Sequence, residues 1–168
     1  AIAFDGRARI ACGCFSQDPE NTLRTGLGLG IGAERVYPGY REMAEEEGKR
    51  DNKIDFVVIV TPNFTHFDIA KIFLENHINV VCDKPLTVTS AQAVALKDLA
   101  DKNGLFLCVT YTYTGYPIVK HVRQMIANHD LGDIRFVNAE YPQDWLSTLL
   151  EETGQKQASW RSDPERSG

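Results

Sequence analysis

The chain has 168 residues and a formal net charge of -5 at pH 7, and 43% of its residues are hydrophobic. This composition is ordinary for a globular chain that buries one good core, or one domain and part of another. The negative net charge does not favour binding to nucleic acid, which basic surfaces bind. No apolar run is long enough to span a bilayer, so we expect neither nucleic acid nor a membrane as a partner.

The amino-terminal part is predicted to alternate between helix and strand. Residues 1–5 are interpreted as the end of a helix, and residues 9–15 as a strand. A turn follows at residues 16–19, and Pro19 suits the first position of a helix running towards Gly26, because proline lacks an N–H that this position leaves unbonded.

A glycine-rich run at residues 26–33 has the spacing G-x-G-x-x-G/A, at Gly28, Gly30 and Ala33. A phosphate-binding loop follows a buried strand and opens a helix, so that backbone N–H groups point at the pyrophosphate. The residues on either side of the run do not have that character. We therefore interpret it as a helix end and a connection. A short helix is predicted next, over residues 39–48, with residues 45–47, all glutamate, as a solvated face.

The centre of the chain is predicted to be a β-α-β unit. Residues 56–60 are apolar at every position and rich in β-branched side chains, which is typical of a parallel strand buried on both faces. Residues 61–63, Thr-Pro-Asn, end this strand, and residues 65–68 have the spacing of a capping box that opens a helix. A second buried strand at residues 78–82 leads into residues 83–85, Asp-Lys-Pro.

Parallel strands joined by a right-handed crossover end at the same edge of a sheet, and this edge is where open α/β sheets bind ligands. The polar residues 61–66 and 83–85 are therefore predicted to lie at a shared ligand-binding edge.

The remaining segments continue this alternation. A capping box from Thr89 to Gln92 opens a helix that Gly104 can end, and residues 105–110 are a third apolar strand. Residues 134–141 alternate in polarity and are interpreted as the first strand of a second domain, in a sheet open on one face. Between them, residues 117–129 are predicted to form a helix with an inward side made of Ile118, Val119, Val122, Met125 and Ile126.

The four cysteines, at positions 12, 14, 82 and 108, all fall in predicted strands. Cys12 and Cys14 have no second pair at metal-ligand spacing, so no metal site is predicted. We interpret all four as free thiols of a cytoplasmic protein.

The Thr-Pro-Asn-x-x-His turn at residues 61–66, followed one helix and one strand later by Asp-Lys-Pro at residues 83–85, resembles the Gfo/Idh/MocA family. These are NAD(P)-dependent oxidoreductases that act mainly on sugars and cyclitols, and Asp83 stands where the family usually has Glu. The resemblance implies an α/β fold with a doubly wound parallel Rossmann-type sheet, followed by the start of an α+β second domain. Residues 1–131 would be a partial NAD(P)-binding domain, and residues 132–168 the beginning of a substrate and oligomerisation domain.

Aligned on these motifs, residues 9–15 correspond to the second strand of the order 3-2-1-4-5-6, and residues 54–60 to the fourth. The central first strand and its glycine loop are then expected upstream of Ala1, and a histidine that completes the active site downstream of Gly168. We expect the chain to be part of a longer protein and nearly inert by itself; a rearranged sheet is the alternative.

The resemblance also implies site residues. Lys84 would be catalytic, binding and polarising the substrate hydroxyl, while Tyr113 and Trp145 would face the substrate; turn formation, solvation or core packing are the alternative roles. Ser16 favours NADP and Asp18 favours NAD, so the cofactor is NAD or NADP. The residues implied to contact the cofactor are Ser16, Thr61, Pro62, Asn63, His66, Asp83, Lys84, Pro85, Trp160 and Arg161.

The function implied is NAD(P)-linked oxidation or reduction of a secondary hydroxyl of a sugar, cyclitol or related polyol, in a homo-oligomer that is a dimer or a tetramer. Two alternatives stay open. One is an NAD-dependent glycosidase of the same fold, and the other is a non-catalytic regulator that senses a dinucleotide.

Overall fold

The computed structural model describes residues 6–142 and 149–154, and the chain divides into two compact units, Ala1–Val109 and Thr110–Gly168. The helix end predicted at residues 1–5 lies outside the described residues. The predicted domain boundary between residues 131 and 132 stays a prediction.

The first unit is built on a three-stranded parallel sheet in the order β1-β2-β3. These strands are β1 Phe56–Ile59, β2 Asn79–Cys82 and β3 Leu107–Val109. Ile59 pairs with Cys82, and Cys82 with Val109, so the three carboxyl ends meet at one edge. The three central strands and their parallel direction are therefore confirmed.

Helices α2 Tyr40–Lys49, α3 His66–Glu75 and α4 Ser90–Asn103 form a packed row. Helix α3 connects β1 to β2 and contacts both, and it also packs against α2 and α4. Removing a large apolar side chain from water contributes roughly 1.5–3 kcal/mol to stability, so these contacts hold the unit together. The apolar residues that are at most 2% exposed are Ala44, Ile59, Ala70, Phe73, Leu74, Ile78, Val80, Cys82 and Leu96.

Strand β1 is covered on one face. Val57 and Ile59 are buried, whereas Val58 is 40% exposed and the following Val60 is 74% exposed. Side chains alternate across a strand, so the odd-numbered residues face the helices while the even-numbered ones face away. The expectation that this strand is buried on both faces is wrong for the described residues.

Residues 9–15 do not form the predicted strand. Their only pairing within the described part of the chain is an isolated parallel bridge between Gly13 and Val36. Gly13 donates to the Arg35 carbonyl oxygen at 3.2 Å, and Tyr37 donates to the Gly13 carbonyl oxygen at 2.9 Å. A ladder needs several consecutive partners, and a segment with one partner residue stays extended without becoming a strand.

Helix α1, Pro19–Gly28, carries the first glycines of the glycine-rich run in its last turn. A Cβ at Gly26 would overlap the Val36 side chain, so close packing requires glycine at this position. Gly30, with φ of +78°, makes the turn after the helix. The interpretation of this run as a helix end is confirmed, as is Pro19 at the first helical position.

The two predicted capping boxes have different outcomes in the structure, since the N-terminal threonine caps α4 but not α3. At α4 the Thr89 hydroxyl oxygen accepts from the Gln92 amide at 3.3 Å, but Gln92 Oε1 has no hydrogen-bond partner among the described residues, so one of the two bonds of the predicted box forms. Gly104 ends the helix in the left-handed conformation, as predicted. The Thr65 side chain makes no capping bond to α3. Its hydroxyl instead bonds to Thr61 and to the Pro62 carbonyl oxygen, so the capping box predicted there is wrong, although the helix does begin at His66.

The glutamates at the end of α2 are not all solvated. Glu47 is fully buried, and the guanidinium of Arg35 and the hydroxyl of Tyr37 donate to its carboxylate, the latter at 2.7 Å. Burial opposes its ionisation, but these donors outweigh it and lower the pKa of Glu47. The expected solvated face is therefore wrong at this residue, which shares a buried helix side with Met43 and Ala44.

The second unit contains a 3₁₀ turn at Thr112–Gly115 and helix α5 at Pro117–Ala127. The helix is confirmed, but most of its predicted inward side is exposed. Ile118 is 63% exposed and Ile126 is 45% exposed. The expectation of a buried apolar side is wrong, because amphipathic periodicity shows which side is apolar and not whether another element covers it.

Residues 134–141 also depart from the prediction. They join no ladder with any residue that the structure describes, and Phe136 is 84% exposed. Alternation in polarity gives a segment the potential to pair, but a strand exists only where a neighbour supplies the hydrogen bonds. The strand predicted at residues 134–141 is therefore wrong.

Candidate functional site

The candidate site lies at the carboxyl edge of the sheet, where β1 and β2 end side by side. Ile59 and Cys82 are the last paired residues of the two strands. The Asp83 amide then donates to the Ile59 carbonyl oxygen at 2.9 Å. The segments after the two strands, residues 61–66 and 83–85, consequently start from adjacent points.

The turn after β1 is held by its own hydroxyl groups. The Thr65 hydroxyl donates to the Pro62 carbonyl oxygen at 2.7 Å and lies 2.7 Å from the Thr61 hydroxyl oxygen. Thr61 and Pro62 are exposed, whereas Asn63 is half-buried. The hydrogen bonds of the Thr65 hydroxyl therefore stabilise the backbone of this turn, and the turn exposes Thr61 to solvent.

His66 connects the two exits. Its ring is 1% exposed, its Nε2 lies 2.7 Å from the Thr61 carbonyl oxygen, and its Nδ1 lies 2.8 Å from the Pro85 carbonyl oxygen. Both ring nitrogens are thus engaged by backbone carbonyl groups. The contact with the cofactor that the resemblance implies for His66 stays a prediction.

The segment after β2 exposes a lysine. The Asp83 carboxylate accepts from the Lys84 amide at 2.8 Å, and the Lys84–Pro85 peptide bond is cis. The Lys84 side chain is exposed, while Asp83 and Pro85 are half-buried. The edge therefore carries an exposed ammonium group, and the backbone amide of the same lysine is bonded to the Asp83 carboxylate.

Ser16 and Asp18 organise the start of α1. The Ser16 hydroxyl oxygen accepts from the Asp18 amide at 3.1 Å, and the Asp18 carboxylate caps the helix by accepting from Glu20 and Asn21. A carboxylate at this position also suits the helix dipole. The choice that these residues imply between NAD and NADP stays a prediction.

The predicted substrate residues lie in the second unit. The Tyr113 hydroxyl lies 2.5 Å from the Tyr141 hydroxyl, and this hydrogen bond raises the pKa of Tyr113. Both rings are exposed. Trp145, Trp160 and Arg161 lie outside the described residues.

Within residues 6–142 and 149–154, no group of three His, Cys, Asp or Glu side chains could hold a metal ion. Over the same residues, no helix is long and apolar enough to cross a membrane. The cysteines are free thiols, and burial followed by the charge of Asp83 raises the pKa of Cys82 to about 12.

The donor set at this edge fits part of a dinucleotide. Thr61 and Asn63 offer a hydroxyl and an amide, and Lys84 offers an exposed ammonium group. Such groups can bind ribose and amide functions. The glycine-rich run cannot serve as the phosphate loop, because its first glycines belong to the end of α1.

Comparison with protein families identifies a model described as oxidoreductase family, NAD-binding Rossmann fold, which matches residues 12–111. The uncharacterized oxidoreductase YfiI of Bacillus subtilis (strain 168) is 39% identical over 160 residues, which is 95% of this chain and 41% of that protein. The chain therefore spans less than half the length of this relative.

Two solved structures agree with this match. An inositol dehydrogenase homologue from Azotobacter vinelandii, complexed with NAD+, has a TM-score of 0.88 at 36% sequence identity. The match covers 95% of this chain and 41% of the homologue's chain. A structure of such a homologue from the same organism, complexed with NADH and myo-inositol, has a TM-score of 0.73 at 40% identity, over 75% of this chain and 33% of its own.

Proposed function

Because the chain belongs to the Gfo/Idh/MocA family of NAD-binding oxidoreductases, we propose that the protein transfers hydride between NAD or NADP and a secondary hydroxyl of a sugar, cyclitol or related polyol. The observation that carries the proposal is the parallel pairing of β1 with β2, which brings residues 61–66 and 83–85 to one edge. The myo-inositol bound to a similar protein supports the substrate class.

Lys84 is proposed as the catalytic residue. When bound, the nicotinamide accepts or returns the hydride, so the protein must bind the hydroxyl and handle its proton. An ammonium group donates a hydrogen bond to the hydroxyl oxygen, which polarises the O–H bond and stabilises the negative charge that develops on the oxygen while the proton passes to a separate base. The exposed position of Lys84, two residues after the end of β2, suits this role.

The proposed cofactor contacts come from both turns. Thr61, Pro62 and Asn63 would line the ligand on the β1 side, and Asp83 and Pro85 would shape the β2 side. Ser16 is proposed near the adenosine ribose, and Trp160 and Arg161 near the nicotinamide. Tyr113 and Trp145 are proposed to contact the substrate.

We further propose that residues 132–168 begin a substrate and oligomerisation domain and that the protein is a cytoplasmic dimer or tetramer. The exposed apolar residues Phe136 and Val137 support an interface in this region. Light scattering on the complete gene product tests the oligomeric state, and a monomer over the accessible concentration range would contradict it.

A polyol screen tests the activity. The complete gene product is incubated with NAD+ or NADP+ and a panel of inositols, aldoses and sugar phosphates, and reduced cofactor is followed by absorbance. We expect net reduction with at least one polyol. Cleavage of a glycoside without net reduction would support the glycosidase alternative, and dinucleotide binding without turnover on any polyol or glycoside would support the regulator.

A further inference from the structure

We propose that His66 is a positioning residue that fixes the two strand exits against each other by donating from both ring nitrogens, to the Thr61 carbonyl oxygen and to the Pro85 carbonyl oxygen. This inference rests on the proposed function, because it assigns a role to the backbone that carries the proposed cofactor and catalytic residues. It concerns the internal support of the site and adds no ligand contact.

The chemistry of the two contacts determines what the ring must carry. A carbonyl oxygen only accepts hydrogen bonds, so the contacts at 2.7 Å and 2.8 Å each require an N–H on the His66 ring. A neutral imidazole has one N–H. The ring that satisfies both contacts is the doubly protonated imidazolium, and it is 1% exposed, so water does not replace either bond.

Each bond holds a different part of the proposed site. The Pro85 carbonyl follows Lys84 directly, so the Nδ1 bond restrains the lysine backbone. The Thr61 carbonyl precedes Pro62 and Asn63, so the Nε2 bond restrains the proposed cofactor turn. Loss of one bond should therefore impair one function more than the other.

Two substitutions separate the bonds. The amide nitrogen of glutamine can take the place of Nε2, so His66→Gln keeps the bond to Thr61 and loses the bond to Pro85. The amide nitrogen of asparagine can take the place of Nδ1, so His66→Asn keeps the bond to Pro85 and loses the bond to Thr61. His121→Gln, at an exposed position of α5, is the matched control.

Steady-state kinetics of the complete gene product measure the effect. We expect His66→Gln to lower kcat on the order of 10- to 100-fold with little change in the KM for the cofactor, since small displacements of reacting groups have costs of this size. We expect His66→Asn to raise the KM for the cofactor by a similar factor with less effect on kcat. Equal effects of both variants on both parameters, or no effect, would overturn the proposal.

A second measurement does not depend on activity or on the folding of a variant. In ¹⁵N NMR spectra of the folded, unsubstituted protein, we expect both ring nitrogens of His66 to carry protons, because both lie within hydrogen-bond distance of carbonyl oxygens, whereas a neutral ring shows one bare nitrogen. A bare nitrogen would overturn the double donation even if the enzyme is active. Conversely, two protonated nitrogens in a protein without polyol turnover would refute the proposed function and leave the hydrogen-bonding role standing.

Discussion

The backbone amide of Asp83 donates to the carbonyl oxygen of Ile59 at 2.9 Å, which continues the pairing of β1 and β2 beyond Cys82. Lys84 therefore leaves the sheet immediately after a hydrogen-bonded residue. Sites on strands are more precise than sites on loops, and this bond ties the residue before Lys84 to the neighbouring strand. This relationship makes Lys84 the first position to test.

Replacing Lys84 with methionine should lower kcat by about 10²- to 10⁴-fold, the usual contribution of a positioned acid or base, while the cofactor dissociation constant stays within about threefold. Methionine keeps much of the side-chain length and removes the ammonium group. Stopped-flow kinetics and cofactor fluorescence measure the two quantities in the complete gene product.

Lys71→Met is the control for this experiment. Lys71 is half-exposed on α3 and lies 3.8 Å from Glu75, a surface ion pair of small energetic value. We expect it to leave kcat unchanged. Full turnover in Lys84→Met would contradict the assignment.

The buried carboxylate of Glu47 should be a large contributor to stability. Glu47→Gln leaves the Arg35 guanidinium, only 13% exposed, without its anionic partner, and removal of one member of a buried pair costs about 3–5 kcal/mol. Urea denaturation of the variant measures this loss. Glu46→Gln, on the exposed side of α2, is the control and should change the free energy of unfolding by less than about 0.5 kcal/mol.

The same residue should give the stability a specific pH dependence. The pKa of Glu47 is lowered from its ordinary 4.5, so the unfolded chain takes up this proton at a higher pH than the folded one does. Its contribution is complete above about pH 4.5 and is lost as the pH falls through the folded-state pKa. Unfolding free energies from about pH 6 to about pH 3 should fall more steeply for the unsubstituted protein than for Glu47→Gln. Parallel curves would show that Glu47 is not the group responsible.

The buried thiols should react slowly. Burial, followed by the charge of Glu47, raises the pKa of Cys12 to about 12, and burial raises the pKa of Cys82 to about 12. The thiolate is the nucleophile, so little reactive species exists near neutral pH. Iodoacetamide labelling followed by peptide mass spectrometry should modify both cysteines only after denaturation. Labelling of Cys82 at equal rates in native and denatured protein would contradict its burial.

The cap of α4 provides a smaller, well-defined test. Thr89→Ala removes the hydroxyl oxygen that accepts from the Gln92 amide, and the loss of such a cap costs about 1 kcal/mol. Thr89→Ser keeps the hydroxyl and should retain most of the stability. Thermal unfolding measures both variants, and equal melting temperatures for Ala and Ser would show that the cap contributes nothing.

The sequence by itself determined the central β-α-β unit. The continuous apolar runs at β1 and β2, the helix between them and the polar residues 61–66 and 83–85 are local patterns, so they can be interpreted without knowledge of distant contacts. Parallel pairing follows from connectivity, since a crossover helix of this length brings the second strand beside the first in the same direction. The family resemblance depends on the same residues.

Tertiary structure alone decided which side chains meet. Glu47 looked solvated because its sequence neighbours are charged, yet its partners Arg35 and Tyr37 lie on another segment. Met43 and Glu47 are four residues apart and therefore lie on the same side of α2, and this spacing was the local signal that Glu47 is buried. His66 likewise finds the Pro85 carbonyl oxygen 19 residues later in the chain.

The same reason explains the two strands that did not form. Residues 9–15 and 134–141 have the local character of strands, but hydrogen bonds in a sheet come from a neighbour that local patterning does not specify. Local preferences follow from each residue's own chemistry. Hydrogen-bond partners and burial depend on which distant segments the fold brings within a few ångströms, and that is a property of the folded chain as a whole.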